Sequence, residues 1–184
     1  AYRRQRQMCI RDSSTADCIP VLLYDEEHHA VAAIHAGWRG TLARIVHKTI
    51  QEMAFTYHTD PKKLKAVIGP GISFDHFEVG DEVYEAFEQA AFPMEEIAEQ
   101  RPNAAFSVDP AERERLAAEG NIVQPLKWHL NLPLCNRQIL LHCGVAEENI
   151  QDCGICTFAH SDEYFSARKL GIESGRIYTG ILLK

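Results

Sequence analysis

Residues 15–40 begin Thr15-Ala16-Asp17-Cys18-Ile19-Pro20-Val21-Leu22-Leu23-Tyr24 and end His35-Ala36-Gly37-Trp38-Arg39-Gly40. Ile19 to Tyr24 is a short apolar run, the length of a buried strand. Asp25-Glu26-Glu27-His28-His29 reads as a charged turn, with both histidines in solvent, and Ala30 to Ile34 as the returning strand. The pair forms a hairpin with a turn longer than the tight types. Gly37 and Gly40 flank Trp38-Arg39 and let the backbone turn sharply there. Beyond them Leu42, Ile45, Val46, Ile50, Met53 and Ala54 recur at helical spacing, which predicts a helix over Thr41–Phe55. Cys18 and His35 therefore sit at the ends of two neighbouring strands, and Arg39 stands at a strand-to-helix junction.

Working outward, Leu64–Ile68 reads as a strand that runs into the sharp loop Gly69-Pro70-Gly71. Asp81 is placed to cap a helix from Glu82 to about Ala91. Residues 93–105 read as a short helix and a surface loop, Phe106–Val108 as a short strand, and Pro110 opens a charged helix to Gly120. Leu130–His142 is expected to be helical with Gly144 as its stop. Ile150–Thr157 and Ile177–Leu183 read as strands. Strands and helices interleave, with hairpin connections, so the class is mixed α/β.

The chain has 184 residues, of which 46% are hydrophobic and 24% charged, values suited to one domain, 1–184, with a sizeable core. The net charge of -7 and a single basic cluster at Arg3, Arg4 and Arg6 argue against nucleic acid or an anionic membrane as partner. No run approaches the ~18 apolar residues of a membrane span. Six cysteines occur without a secretory signal, so reduced thiols in a cytoplasm are expected. Cys153 and Cys156 form a lone C-x-x-C, read as a buried or half-buried pair near a strand end. His160 extends it to C-x-x-C-x-x-x-H, a weak metal pattern without the small zinc module it usually belongs to.

The chemistry concentrates at Cys18 and His35. A thiolate and an imidazole are both good zinc ligands, and a catalytic zinc takes three protein ligands and a water. The same pair fits a nucleophile and its base. Arg39, beside a helix start, suits a phosphate or carboxylate, and Trp38 can wall a pocket for a flat ring. Gly69-Pro70-Gly71 can form a pocket rim or present N–H groups to an anion. Arg168 and Arg176 are further candidates for meeting an anionic substrate, or for ion pairs that tie down the C-terminus.

The blocks Thr15–Pro20, His35–Gly40, Ile68–Ile72, Phe77–Val83, Cys156-Thr157, Phe165–Arg168 and Gly175-Arg176 together resemble the purine nucleoside phosphorylase family of the YfiH type. That family was long labelled polyphenol oxidase or multicopper laccase domain. The resemblance runs from about residue 8 to the C-terminus. It implies a layered α/β sandwich with mixed sheets, related to the catalytic fold of cytotoxic necrotizing factor toxins. It also implies a zinc site of one Cys and two His, in which Cys18 and His35 match the Cys and the second His. The first His lies in an upstream motif that this chain lacks, so the third ligand is expected upstream of Ala1. The implied activity is phosphorolysis of adenosine, inosine and methylthioadenosine, with adenosine deamination, and the partners are a purine nucleoside and phosphate. Cys18, His35 and Arg39 are then the catalytic set, with Arg39 holding phosphate by its charge and place. The rivals are a metal-free cysteine hydrolase with Cys18 as nucleophile and His35 as base, a copper-dependent polyphenol oxidase, and a scaffold without catalysis. A copper oxidase fits less well, because blue copper wants two His, a Cys and an axial ligand.

Overall fold

The computed structural model describes residues 10–103, 106, 110–118, 124–171 and 173–183. The basic cluster at Arg3, Arg4 and Arg6, Cys9, and residues 107 and 108 of the expected short strand lie outside them. In chain order the first elements are β1 (Ile10–Thr15), β2 (Ile19–Asp25), β3 (Ala30–Ala36), α1 (Trp38–Leu42), α2 (Ile45–Tyr57) and β4 (Lys65–Ile68). Then come β5 (Glu78–Val79), α3 (Asp81–Gln89), α4 (Met94–Ile97), β6 (Ala98–Pro102), α5 (Pro110–Ala118) and β7 (Leu126–Leu130). The last are α6 (Leu132–His142), β8 (Ile150–Asp152), α7 (Ala167–Leu170) and β9 (Ile177–Leu182). The contacts group them into two compact units, Ala1–Ser73 with Leu132–Lys184, and Phe74–Asn131.

The first unit is built on a mixed four-stranded sheet in the order β3-β2-β4-β8. β2 pairs antiparallel with both β3 and β4, and β4 pairs parallel with β8. Period-2 alternation divides the sheet's faces. Val21, Leu23, Ile34, Ala66, Ile68 and Ile150 point to the buried face, where α1 and α2 pack on β3, and α6 on β4 and β8. Each Val, Leu or Ile side chain of this set, fully buried, contributes roughly 1.5–3 kcal/mol. A two-stranded antiparallel ribbon, β1 with β9, packs beside β2 and β3. Ile181 of β9 lines a groove with Leu22, Tyr24 and Val67, which places the ribbon on the face away from the helices. The hairpin expected at Ile19–Ile34 is present, with Asp25 as the last buried residue of β2 rather than part of the turn.

The helix expected over Thr41–Phe55 is broken in two. Arg44 adopts the left-handed region at φ 54°, so the one-turn α1 ends before α2 begins. α2 then buries Val46, Ile50 and Met53 along one face and ends at His58, again left-handed. α6 starts two residues later than expected and buries Leu132, Cys135, Asn136, Ile139 and Leu140. Gly144, at φ 89°, supplies the stop. Of the strand expected over Ile150–Thr157 only Ile150–Asp152 forms, followed by one isolated parallel bridge from Cys156 to Gly71.

The second unit holds an antiparallel three-stranded sheet, β5-β7-β6. One of these strands runs through a stretch whose sequence reads otherwise. Ala98–Pro102, expected to be loop, pairs along its whole length with Leu126–Leu130. Gly80, not Asp81, is the residue before α3, and Asp81 lies in its first turn without a side-chain cap bond. Val83 and Phe87 form the buried stripe of α3, and Tyr84 stacks on Trp128 with ring centroids 3.8 Å apart.

Candidate functional site

The antiparallel register of β2 and β3 sets Pro20 opposite His35 and Ile19 opposite Ala36. Cys18 immediately precedes β2, so the thiol and the imidazole arrive at the same corner of the sheet. Gly37 lies between them. A methyl group there would sit 2.7 Å from Cys18 Sγ and 3.6 Å from His35 Nε2. Cys18 is half-buried and His35 exposed, on the sheet face opposite the helices. The structure thus brings together the pair that the sequence singles out.

Arg39 follows on α1, exposed, with its guanidinium carbon 4.1 Å from the Trp38 ring centroid. Its helix is held from inside. Thr41 Oγ1 donates to Ala36 O at 3.2 Å, and Asn136 Nδ2 donates to Thr41 Oγ1 at 3.1 Å and to Leu132 O at 2.9 Å. Thr41 and Asn136 are wholly buried, so α1, β3 and α6 share one satisfied polar network.

Asp17 gathers distant segments at this corner. Its Oδ1 accepts from Thr157 Oγ1 at 2.7 Å and its Oδ2 from Arg168 N at 2.7 Å. Its carbonyl accepts from Ile72 N at 2.8 Å. Asp17 itself is in the left-handed region at φ 77°, which aspartate tolerates better than most residues. Gly175 lies under Phe165, whose ring atoms would be 2.5–2.7 Å from any added methyl group. Arg176, next in the chain, is close enough to act electrostatically on Cys18. The blocks at 15–20, 156–157, 165–168 and 175–176 are therefore one neighbourhood. Sequence reading missed Asp17 and Thr157. The available signal was a charged residue wedged between Ala16 and the apolar start of β2.

Burial, and then the Asp17 carboxylate, push the Cys18 thiol above its ordinary pKa, while Arg176 pulls it partly back. Without a metal the group is a protonated thiol at neutral pH. Cys156 behaves differently. Burial opposes its ionisation, but donors from Ser73, Ala159 and Phe158 outweigh it and lower its pKa. Ser73 N donates to its Sγ at 3.4 Å. Cys153 is exposed, so the C-x-x-C is not a uniformly buried pair. The Gly69-Pro70-Gly71 loop does not present free N–H groups. Gly69 N donates to Pro20 O in β2, Gly71 N to Ile155 O and Ile72 N to Asp17 O, so the loop's amides are already paired.

Cys18 and His35 fit as two ligands of a zinc ion, a soft thiolate and a borderline imidazole. Among the described residues no group of three His, Cys, Asp or Glu side chains converges. A third protein donor is thus not supplied by those residues.

A family model described as multi-copper polyphenol oxidoreductase laccase matches residues 3–184. The chain belongs to this family. Within the laccase family so described, the chain is 43% identical over 176 residues to a purine nucleoside phosphorylase of Bacteroides thetaiotaomicron, covering 96% of the chain and 56% of that protein. It is 39% identical over 171 residues to adenosine deaminase RL5 from an unknown prokaryotic organism, covering 93% of the chain and 57% of that protein. The crystal structure of the hypothetical protein YfiH from Bacillus licheniformis superposes with a TM-score of 0.76 at 26% identity, over 95% of this chain and 58% of that one. The chain spans somewhat more than half the length of the curated relatives it matches. The mixed α/β fold described above, with one mixed and two antiparallel sheets among the described residues, matches that YfiH structure.

Proposed function

We propose that the chain carries part of a purine nucleoside phosphorylase that also deaminates adenosine, with adenosine, inosine and methylthioadenosine as substrates. The single observation that carries this reading is the convergence of Cys18 and His35 on Gly37, two residues before Arg39. Relatives named purine nucleoside phosphorylase and adenosine deaminase support it. Cys18 and His35 would hold a zinc ion, with a further donor from outside the described residues. A zinc ion in such a site supplies a water of pKa near 7 and charge stabilisation.

The chain's own residues do the rest. His35, exposed at the end of β3, faces solvent where a substrate can reach it. Arg39 binds phosphate, holding it for attack on the sugar carbon as the purine departs. The Trp38 ring, stacked against the Arg39 guanidinium, restricts that side chain's freedom. A cytoplasmic location belongs to the same reading and rests on five free cysteines among the described residues. No helix among those residues is long and apolar enough to cross a membrane.

The metal-free cysteine hydrolase, with its kinship to the necrotizing toxins, is the weaker reading. Its nucleophile needs a lowered pKa, and that of Cys18 is raised. Copper oxidase chemistry asks for histidine clusters, whereas this corner offers one Cys and one His. Chromatography of adenosine incubated with and without phosphate tests the proposal. Adenine formed only with phosphate marks phosphorolysis, and inosine marks deamination. If neither forms in metal-loaded protein, the reading fails and a scaffold role takes its place.

A further inference from the structure

We propose that Asp17 is a positioning residue, which sets the Cys18 thiol by clamping two distant segments to its two carboxylate oxygens. The inference rests on the Cys18–His35 corner being the reactive one. Each oxygen serves a different donor: Thr157 Oγ1 on Oδ1 and Arg168 N on Oδ2, both at 2.7 Å. The donors lie 140 and 151 positions away in sequence. Thr157 is fully buried and Asp17 is 9% exposed, so water cannot readily replace the Thr157 hydroxyl. The Asp17 carbonyl adds the amide of Ile72. Cys18 is the next residue, and its Cα direction follows from the left-handed Asp17 backbone. The clamp therefore decides where the thiol sits.

The chemistry is specific to aspartate. Asparagine offers one acceptor and one NH₂ donor, so one of the two donors would face another donor. Glutamate has both oxygens but is one methylene longer, in a corner already filled by Thr157 and the 166–168 backbone. Hydrogen bonds to a charged group are among the stronger ones, and losing one partner of a buried set is costly.

The test reads the Cys18 thiol directly. The full chain, as purified and after chelation, is labelled with iodoacetamide under native conditions. Peptide mass spectrometry then gives the Cys18 rate against that of exposed Cys153. Thr157→Val keeps the charge and volume but removes one clamp bond, and the Cys18:Cys153 ratio should rise about tenfold, the local opening expected on losing a bond to a buried charge. Thr157→Ser restores the hydroxyl and should return the ratio to the wild-type value. Asp17→Asn should raise it further. An unchanged ratio in Thr157→Val, with only a lower melting temperature, would overturn the proposal and leave Asp17 as a purely structural residue. Because Thr157→Val is nearly isosteric, the test stands even if Asp17→Asn does not fold. Absence of nucleoside turnover in the wild type would sink the proposed function alone, since the labelling ratio is read without substrate.

Discussion

The bare Cα of Gly37 packs against the Cys18 thiol, with no room for a methyl group unless the thiol moves. An added Cβ would be 2.7 Å from Sγ and 3.6 Å from Nε2. Gly37 has φ -65° and ψ 173°, a conformation that alanine adopts freely. The demand for glycine is therefore steric and local, not conformational. Gly37→Ala should fold with near-native thermal stability yet lose metal binding and turnover, measured by elemental analysis and nucleoside chromatography on the same preparation. Full activity in that variant would remove Cys18 and His35 from the reactive centre.

Cys18→Ala and His35→Ala should each lower bound zinc in metal-loaded protein, with little effect on the fold. Cys18 is only half-buried and His35 is exposed, so neither contributes much to the core. Circular dichroism alongside elemental analysis separates the two effects. Equal zinc content in wild type and both variants would place the metal elsewhere.

Arg39→Ala should raise the KM for phosphate by roughly 10–100-fold, the range for a hydrogen bond to a charged partner. The KM for nucleoside should move much less. Deamination needs no phosphate and should stay within about twofold of wild type, a change worth well under 1 kcal/mol. An unchanged phosphate KM would reassign the anion site, with Arg168 and Arg176 next to be tested.

Asp25 links the hairpin tip to the end of α2. Its Oδ2 accepts from Thr59 Oγ1 at 2.5 Å and pairs with His28 Nδ1 at 2.9 Å. Burial opposes the charge, but the bonds from Thr59 and His28 prevail and hold its pKa below the usual carboxylate value. A folded pKa below the unfolded one, ~3.9, means the contribution is complete above that value and lost as pH falls through the folded pKa. Urea midpoints should therefore drop between about pH 5 and pH 2 more steeply for wild type than for Asp25→Asn. At pH 7, Asp25→Ala should cost about 1–3 kcal/mol, because it strands the buried Thr59 hydroxyl. Parallel pH curves for wild type and Asp25→Asn would show that this carboxylate carries no linkage.

The hairpin was legible because its signals are local. Ile19–Tyr24 and Ala30–Ile34 have strand length, and the charged run Glu26–His29 stays in solvent. The break at Arg44 was not legible, since the apolar spacing from Leu42 to Ala54 continues across it and only the packing of α1 forces the left-handed residue. Ala98–Pro102 is polar and carries two charges, so it reads as loop. It becomes a strand because Leu126–Leu130 supplies its partner groups. β1 escaped notice for the same reason, as Arg11-Asp12-Ser13-Ser14 has no apolar alternation and its ladder is completed by β9, over 160 positions later.

By itself the sequence determined the hairpin, the apolar stripe of α2, the helical stretch of α6, and the residue types that carry chemistry: a thiol, an imidazole and an arginine in two short blocks. These follow from the identity and spacing of neighbours, which a linear chain displays directly. Only the tertiary structure decided that Gly37 leaves the space between Cys18 and His35, that the Gly69–Gly71 amides are already spoken for, and that Thr157, Arg168 and Arg176 gather around Asp17. Apart from the Gly37 contact, these reach across about 50 to 160 positions of chain. They depend on which strand edges and buried donors meet once the core closes, and no local pattern of residues encodes that meeting.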